Sequence, residues 1–351
     1  MHIVHVAAIE LSPNSGMGRI AFEWKKAFEQ QGIKFTHIGW KELSRSAHPL
    51  LFGWYVRKFI IQNKLKPNLI LAHEPTGGFL KFKNVPLVVF SHGVEERNWQ
   101  IKKKYDFEPL SWKAKLLPVL FRFYSNTIGF KKANKILLSN QTDKNFLTNY
   151  KRIQASKIHI FKNGFHKYPG KTKYNFSHIG CLFNASWIER KGIQLLIPVF
   201  NSLLKKYPEL FLYIAGTNKN ASDLLANFDA AIYAQIIIFP KFSASDEHLI
   251  YKQTSIFILP SYFEGQSLAL SQAMYMGLCP VVADNCGQID LVHHGQNGLL
   301  FQTGDQCDFQ SQVEALINNP KLIAQYGESA FNTVQSSTWE AVSNEVVQFV
   351  L

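Results

Sequence analysis

Short apolar runs alternate with amphipathic stretches along this chain, and they do so twice. MHIVHVAAI, NLILAHE, PLVVFSHG, KILLSN and KIHIFKNG recur through the first half, and HIGCLFNAS, LFLYIAG, IIIFP, SIFILP and CPVVAD through the second. Helical patterns lie between them, such as GRIAFEWKKAFEQQG, which ends at Gly32. Strands this rich in Val, Ile and Leu read as buried on both faces, as in a mostly parallel sheet covered by helices. From Gly164 to Ser177 the alternation lapses into GFHKYPGKTKYNFS, which has Pro169 and Gly170 and no periodicity. The break predicts two α/β domains in series, which suits 351 residues better than one core does. The boundaries read as a first domain over 1–165, a linker over 166–177, a second domain over 178–335, and a C-terminal helix over 336–351 that could pack back on the first domain. A ligand is expected between the two domains, at the C-terminal ends of the strands.

Several classes are excluded. No apolar run reaches about 18 residues, so no membrane span is expected. The N-terminus lacks a basic segment before a long apolar core and reads as a strand, not a signal peptide. Cys181, Cys279, Cys286 and Cys307 show no CxxC spacing, which fits free thiols in a reducing cytoplasm. No His/Cys/Asp spacing suggests zinc, and no nucleic-acid recognition motif is present.

Three strings carry chemistry. Ser15-Gly16-Met17-Gly18-Arg19 joins the first strand to the first helix. Glycines there let backbone approach a ligand and the helix N-terminus favours an anion, although a glycine turn is also plain architecture. In FNASWIERKG, residues 183–192, Arg190 and Lys191 follow a strand and open a helix. A guanidinium fork beside an ammonium suits a diphosphate, and cations at a helix start oppose its dipole, so a functional reason is called for. In PSYFEGQSLALSQAM, residues 260–274, an apolar strand runs through a polar turn into a helix. Glu264 there could meet sugar hydroxyls, and the N–H groups of Gly265, Gln266, Ser267 and Leu268 could face a phosphate. Gln272 lies about two helical turns further on. His73, beside Glu74, and His92 end successive strands, where α/β folds present ligand-binding side chains.

Taken in order, these strings resemble glycosyltransferase family 4. The resemblance also draws on Asn163-Gly164, Ala215-Gly216, Gly295-Gln296-Asn297-Gly298 and Thr338-Trp339-Glu340. It implies a GT-B fold, two Rossmann-like domains facing each other across a central cleft. It implies retaining transfer from a nucleotide-sugar donor with no cofactor and no essential metal. Donor binding falls mainly to the second domain and acceptor binding to the first. Carried over, Gly16 lies near the donor phosphates, Lys191 holds the diphosphate and His92 lies at the donor sugar. Glu264 is the first glutamate of a paired-glutamate motif. Two positions depart from the pattern: Gln272 stands where the second glutamate holds the ribose, and Ala185 where an arginine is usual.

The expected catalytic set is therefore Glu264, Lys191 and His92. Donor binding adds Gly16, Arg190, Gly265, Gln266, Ser267, Leu268 and Gln272, with His73 and Glu74 on the acceptor side. The expected function is sugar transfer to a glycan or lipid-linked acceptor in cell-surface polysaccharide or lipopolysaccharide synthesis. The alternatives are a weakly active or inactive GT-B partner subunit and another GT-B enzyme such as a sugar-nucleotide epimerase.

Charge adds a partner. Residues 1–175 hold 30 Lys and Arg against 10 Asp and Glu, a net +20, while the remainder carries −7. The first half is thus expected to face an anionic membrane, placing the protein in the cytoplasm at the inner face of the cell membrane. Two stretches interleave cations with apolar residues: Arg57 to Lys66, and Lys102-Lys103-Lys104-Tyr105 through Trp112, Lys113 and Lys115 to Phe121-Arg122-Phe123-Tyr124.

Overall fold

In a computed structural model, which describes residues 1–14, 16–43, 51–106, 122–168, 170, 174–175, 177–243 and 245–351, the strands build two sheets of six. Every strand pair in them is parallel. The first sheet holds β1 (His2–Val6), β2 (Lys34–Ile38), β3 (Leu69–His73), β4 (Leu87–Ser91), β5 (Lys135–Leu138) and β6 (Ile158–Ile160), in the order β2-β1-β3-β4-β5-β6. The second holds β7 (Ile179–Asn184), β8 (Leu210–Ala215), β9 (Ile236–Phe239), β10 (Ile256–Leu259), β11 (Cys279–Ala283) and β12 (Leu299–Phe301), in the order β12-β11-β10-β7-β8-β9. Ten of these strands stand out in the sequence as apolar runs, and β2 and β12 do not. Both lie at sheet edges, and each is too short or too mixed in polarity to stand out as an apolar run.

Contacts divide the chain into two compact units, Met1–Gln100 with Pro109–Asn163 and Trp339–Leu351, and Ile101–Glu108 with Gly164–Thr338. In the first, the helix Gly16–Gln30 buries Ile20, Trp24 and Phe28 at helical spacing. Gly32 closes it with a φ of 71°, a left-handed conformation that glycine adopts at no steric cost. The C-terminal helix Trp339–Val350 counts with this unit, packing against that first helix. The Lys135 ammonium donates to the Phe349 carbonyl at 2.6 Å, helping to satisfy the end of this last helix.

The stretch read as a linker is not a free tether. Pro169, 171–173 and Phe176 fall outside the described residues, but the rest is anchored within the second unit. Within it the Tyr174 hydroxyl donates to the Gly277 carbonyl at 2.6 Å, and just before it Phe165 stacks on Tyr275 at 3.9 Å. Single anchors of this kind leave no periodic trace in sequence. No helix among the described residues is long and apolar enough to cross a membrane.

Candidate functional site

In the second unit, three strand ends converge. After β7, the chain makes a 3-10 turn at Glu189–Lys191, and the helix Ile193–Lys206 begins only after Gly192. Gly192 has a φ of 77°, and a Cβ there would lie 2.0 Å from the Pro260 carbonyl oxygen, so the β7 turn presses directly on the loop after β10. That loop, Pro260 to Gly265, leads to Ser267, whose hydroxyl accepts from the Leu270 N–H at 3.3 Å and caps the helix Leu268–Tyr275. A Cβ on Gly287, beyond β11, would lie 1.7 Å from the Gly265 carbonyl oxygen. Only glycine permits either approach.

This packing brings the predicted cations to the predicted carboxylate. The Lys191 ammonium donates to Glu264 Oε1. The Arg190 guanidinium donates to the Phe263 carbonyl at 2.7 Å and stands 3.9 Å from Glu264 Oε1. The Arg190 carbonyl in turn accepts from the Tyr262 N–H at 3.0 Å. Arg190 is therefore as much a tie between two loops as a free cation. Side-chain exposure is 14% for Lys191 and 8% for Glu264, so water screens the pair little. Burial alone would raise the Glu264 carboxyl, but Lys191 and then Arg190 outweigh it and hold it below the usual carboxylate range. Burial draws the Lys191 ammonium below its usual range, with Glu264 opposing and Arg190 assisting.

Residues that sequence reading missed complete the frame. Asn285 donates to the Ser261 carbonyl and to the Thr303 hydroxyl, both at 2.8 Å, and Gln288 donates to the Leu259 carbonyl at 2.9 Å. Asp284 accepts from the N–H and hydroxyl of Thr303. The polar run Asp284-Asn285 directly after the strand CPVVA was the available signal. Gln272 is directed elsewhere. Its Oε1 accepts from the His166 N–H at 2.9 Å and its Nε2 donates to the His166 carbonyl at 3.1 Å. The amide that could have met a ribose thus clasps the backbone of the former linker.

In the first unit, the order β2-β1-β3-β4 sets four histidines side by side: His37, His5, His73 and His92. His37 Nε2 donates to the Ile9 carbonyl at 2.9 Å, so a neutral His37 accepts through Nδ1 from His5 Nδ1 at 2.8 Å. The His92 ring lies 5.7 Å from His73 and is walled by Phe90, Phe161 and Trp24. Both His92 nitrogens are buried with no hydrogen-bond partner. Burial, then His73, lowers its pKa to about 3, and burial lowers that of His73 to about 4.

Glu74, expected on the acceptor side, is engaged by partners of its own unit. It is buried, and its oxygens accept from the Ser91 hydroxyl at 2.8 Å, from Asn126 at 3.1 Å and from the Glu95 N–H at 3.2 Å. Burial first, then Glu95, raises its carboxyl well above the usual range. Asp143, which sequence reading passed over, accepts from the Val94 N–H at 2.9 Å and pairs with Arg97. Glu74 and Asp143 brace the turn that carries His92. Gly16 opens its helix with no atom within 4 Å of where a Cβ would stand, so the protein's own packing does not require glycine there. Its predicted neighbour Ser15 lies outside the described residues.

The two parallel α/β units in series match known structures. The sucrose-phosphate synthase of Thermosynechococcus elongatus superposes with a TM-score of 0.77 at 13% identity, covering 99% of this chain and 97% of that one. WaaG, a glycosyltransferase involved in lipopolysaccharide biosynthesis, gives 0.76 at 12% identity over 99% of each chain. The fold is GT-B. Residues 181–333 match the family described as Glycosyl transferases group 1. That match holds the whole Lys191, Arg190 and Glu264 cluster. An uncharacterized glycosyltransferase of Haemophilus influenzae is 32% identical over 173 residues, 48% of this chain, and the chain spans 46% of the length of that relative.

Proposed function

We propose that the chain is a retaining glycosyltransferase of the family 4 type, moving a sugar from a nucleotide-sugar donor to a glycan or lipid-linked acceptor. The setting proposed is cell-surface polysaccharide or lipopolysaccharide synthesis. The observation that carries this is the ion-paired cluster of Lys191, Arg190 and Glu264 where the ends of β7 and β10 meet, inside the group 1 match. Lys191 has one of its three N–H donors engaged by Glu264, leaving others for a phosphate oxygen. A diphosphate leaving group gains negative charge as the anomeric bond breaks. Lys191 would stabilise that charge, with the N–H groups at the start of the helix Leu268–Tyr275. Glu264, freed in part as Lys191 turns to phosphate, would orient the donor sugar hydroxyls. His92, neutral in its apolar wall, would offer a hydrogen bond to the donor sugar. No metal is required by this scheme, because fixed cations do the neutralising. The basic first half would bring the enzyme, as a cytoplasmic peripheral protein, to an anionic surface bearing its acceptor.

The test is a panel of nucleotide sugars screened for thermal stabilisation. A true donor at a hundredfold over its Kd should add about 2.7 kcal/mol and raise the melting temperature. No stabilisation by any nucleotide sugar or nucleoside diphosphate would overturn the proposal. The clasp of Gln272 on His166 and the presence of Ala185 favour a second reading, a donor-binding partner subunit without turnover. Donor binding without transfer or hydrolysis would select it.

A further inference from the structure

The first unit carries an outward apolar stripe that its own folding does not use. The helix Phe52–Gln62 turns Phe52, Gly53, Val56 and Ile60 into the core. At 100° per residue, Leu51, Trp54, Lys58 and Ile61 gather within an arc of about 80° on the other side. Leu51 is 47% exposed, Trp54 47% and Ile61 58%, and Lys58 is exposed between them with its ammonium 5.6 Å from the Trp54 ring centroid. The helix is firmly seated, since a Cβ on Gly53 would come within 2.7 Å of Phe79. Along the chain, the charges that flank the stripe have one sign. No Asp or Glu occurs between Glu42 and Glu74, while Lys64 and Lys66 at the helix end are exposed. Arg57 is not part of this face, because it donates to the Phe79 and Lys81 carbonyls and stacks on Phe82.

We propose that this face, Leu51, Trp54, Lys58 and Ile61 with Lys64 and Lys66, is the surface by which the protein lies on an anionic lipid bilayer. The proposal rests on the anionic-surface part of the reading above and assigns it to one helix. A stripe one helix long and one side chain wide offers on the order of 200 Å², far short of the ~800 Å² per partner in a stable protein interface. The same stripe suffices for interfacial attachment, with a Trp and two aliphatic side chains in the acyl boundary and flanking cations at the headgroups. In the second stretch read from sequence, Lys103, Lys104 and Tyr124 are exposed, but Phe123 is buried and Arg122 is bound to the Glu95 carboxylate; Trp112, Lys113, Lys115 and Phe121 lie outside the described residues.

The experiment is co-sedimentation of the full chain with phosphatidylcholine vesicles, with and without 30 mol% phosphatidylglycerol (roughly the anionic share that gives a strongly negative surface). Binding should require the anionic lipid and fall with added salt. Trp54→Ser with Ile61→Ser should lower it at least ~10-fold, Lys58→Ala about 5-fold, and Trp54→Phe should preserve it. The sites are exposed, so circular dichroism and thermal melts should stay those of the parent chain. If the parent chain binds and the double variant binds equally, the helix assignment falls while the anionic-surface reading stands. Failure of the parent chain to bind at low salt, or equal binding to neutral vesicles, overturns both. Sedimentation velocity without lipid reports the rival occupant: a dimer abolished by the double substitution, with no vesicle binding, makes the face a self-association surface and overturns the proposal.

Discussion

Lys191 and Glu264, 73 positions apart, form an ion pair at the meeting of two strand-end loops, with Arg190 as a third member anchored to the Phe263 carbonyl. Each charge is held by the other, so the pair is a structural element of the unit, and under the proposed function an anion would compete with Glu264 for Lys191.

Replacing Lys191 by Ala should therefore have two effects. Transfer should fall on the order of 10²-fold, as expected when one donor to the leaving group is lost. Stability should also fall by about 3–5 kcal/mol, because Glu264 is left buried beside a single, more distant cation. Urea unfolding measures the second effect. Combining Lys191→Met with Glu264→Gln should recover most of the lost stability and none of the activity.

Glu264→Gln separates binding from transfer. The amide keeps the shape, removes the charge and releases Lys191 for phosphate. Nucleoside diphosphate affinity, measured by calorimetry, should be kept or improved while turnover of a donor drops. Normal turnover with weakened diphosphate binding would contradict the role proposed for this carboxylate.

Gln272 makes a donor-and-acceptor pair with the His166 backbone that a carboxylate cannot reproduce. Gln272→Glu would restore the glutamate of the family pattern and yet leave the His166 carbonyl facing a buried negative oxygen. We expect a loss of about 1–3 kcal/mol in urea unfolding. An unchanged midpoint would show that the clasp contributes little.

Acid should unfold the protein partly through His92. Its pKa is depressed to about 3 in the folded unit against about 6.5 when unfolded. Between these values the unfolded chain binds the extra proton, so stability is full above pH ~6.5 and declines as pH falls toward 3. At pH ~5 the contribution is about 2 kcal/mol. The melting temperature of His92→Gln should thus decline less between pH 7.5 and 5 than that of the parent chain, whatever the absolute stability of the variant. Parallel pH profiles would exclude a buried neutral His92.

The sequence by itself determined the two-sheet α/β architecture and the strand-end loops that carry Lys191, Glu264 and His92. These follow from local signals, since buried parallel strands must be apolar throughout and must end in polar turns. It did not determine partnership. That Lys191 faces Glu264 and that Glu74 is a buried brace depend on which strand ends the sheet order sets side by side, and that Gln272 turns to the His166 backbone depends on how its helix packs against the stretch after Gly164. A side chain's chemistry is written in its own residue type, whereas its hydrogen-bond partner is fixed by packing among residues tens of positions away. Only the tertiary structure decides the latter, and with it whether a polar residue remains available to a ligand.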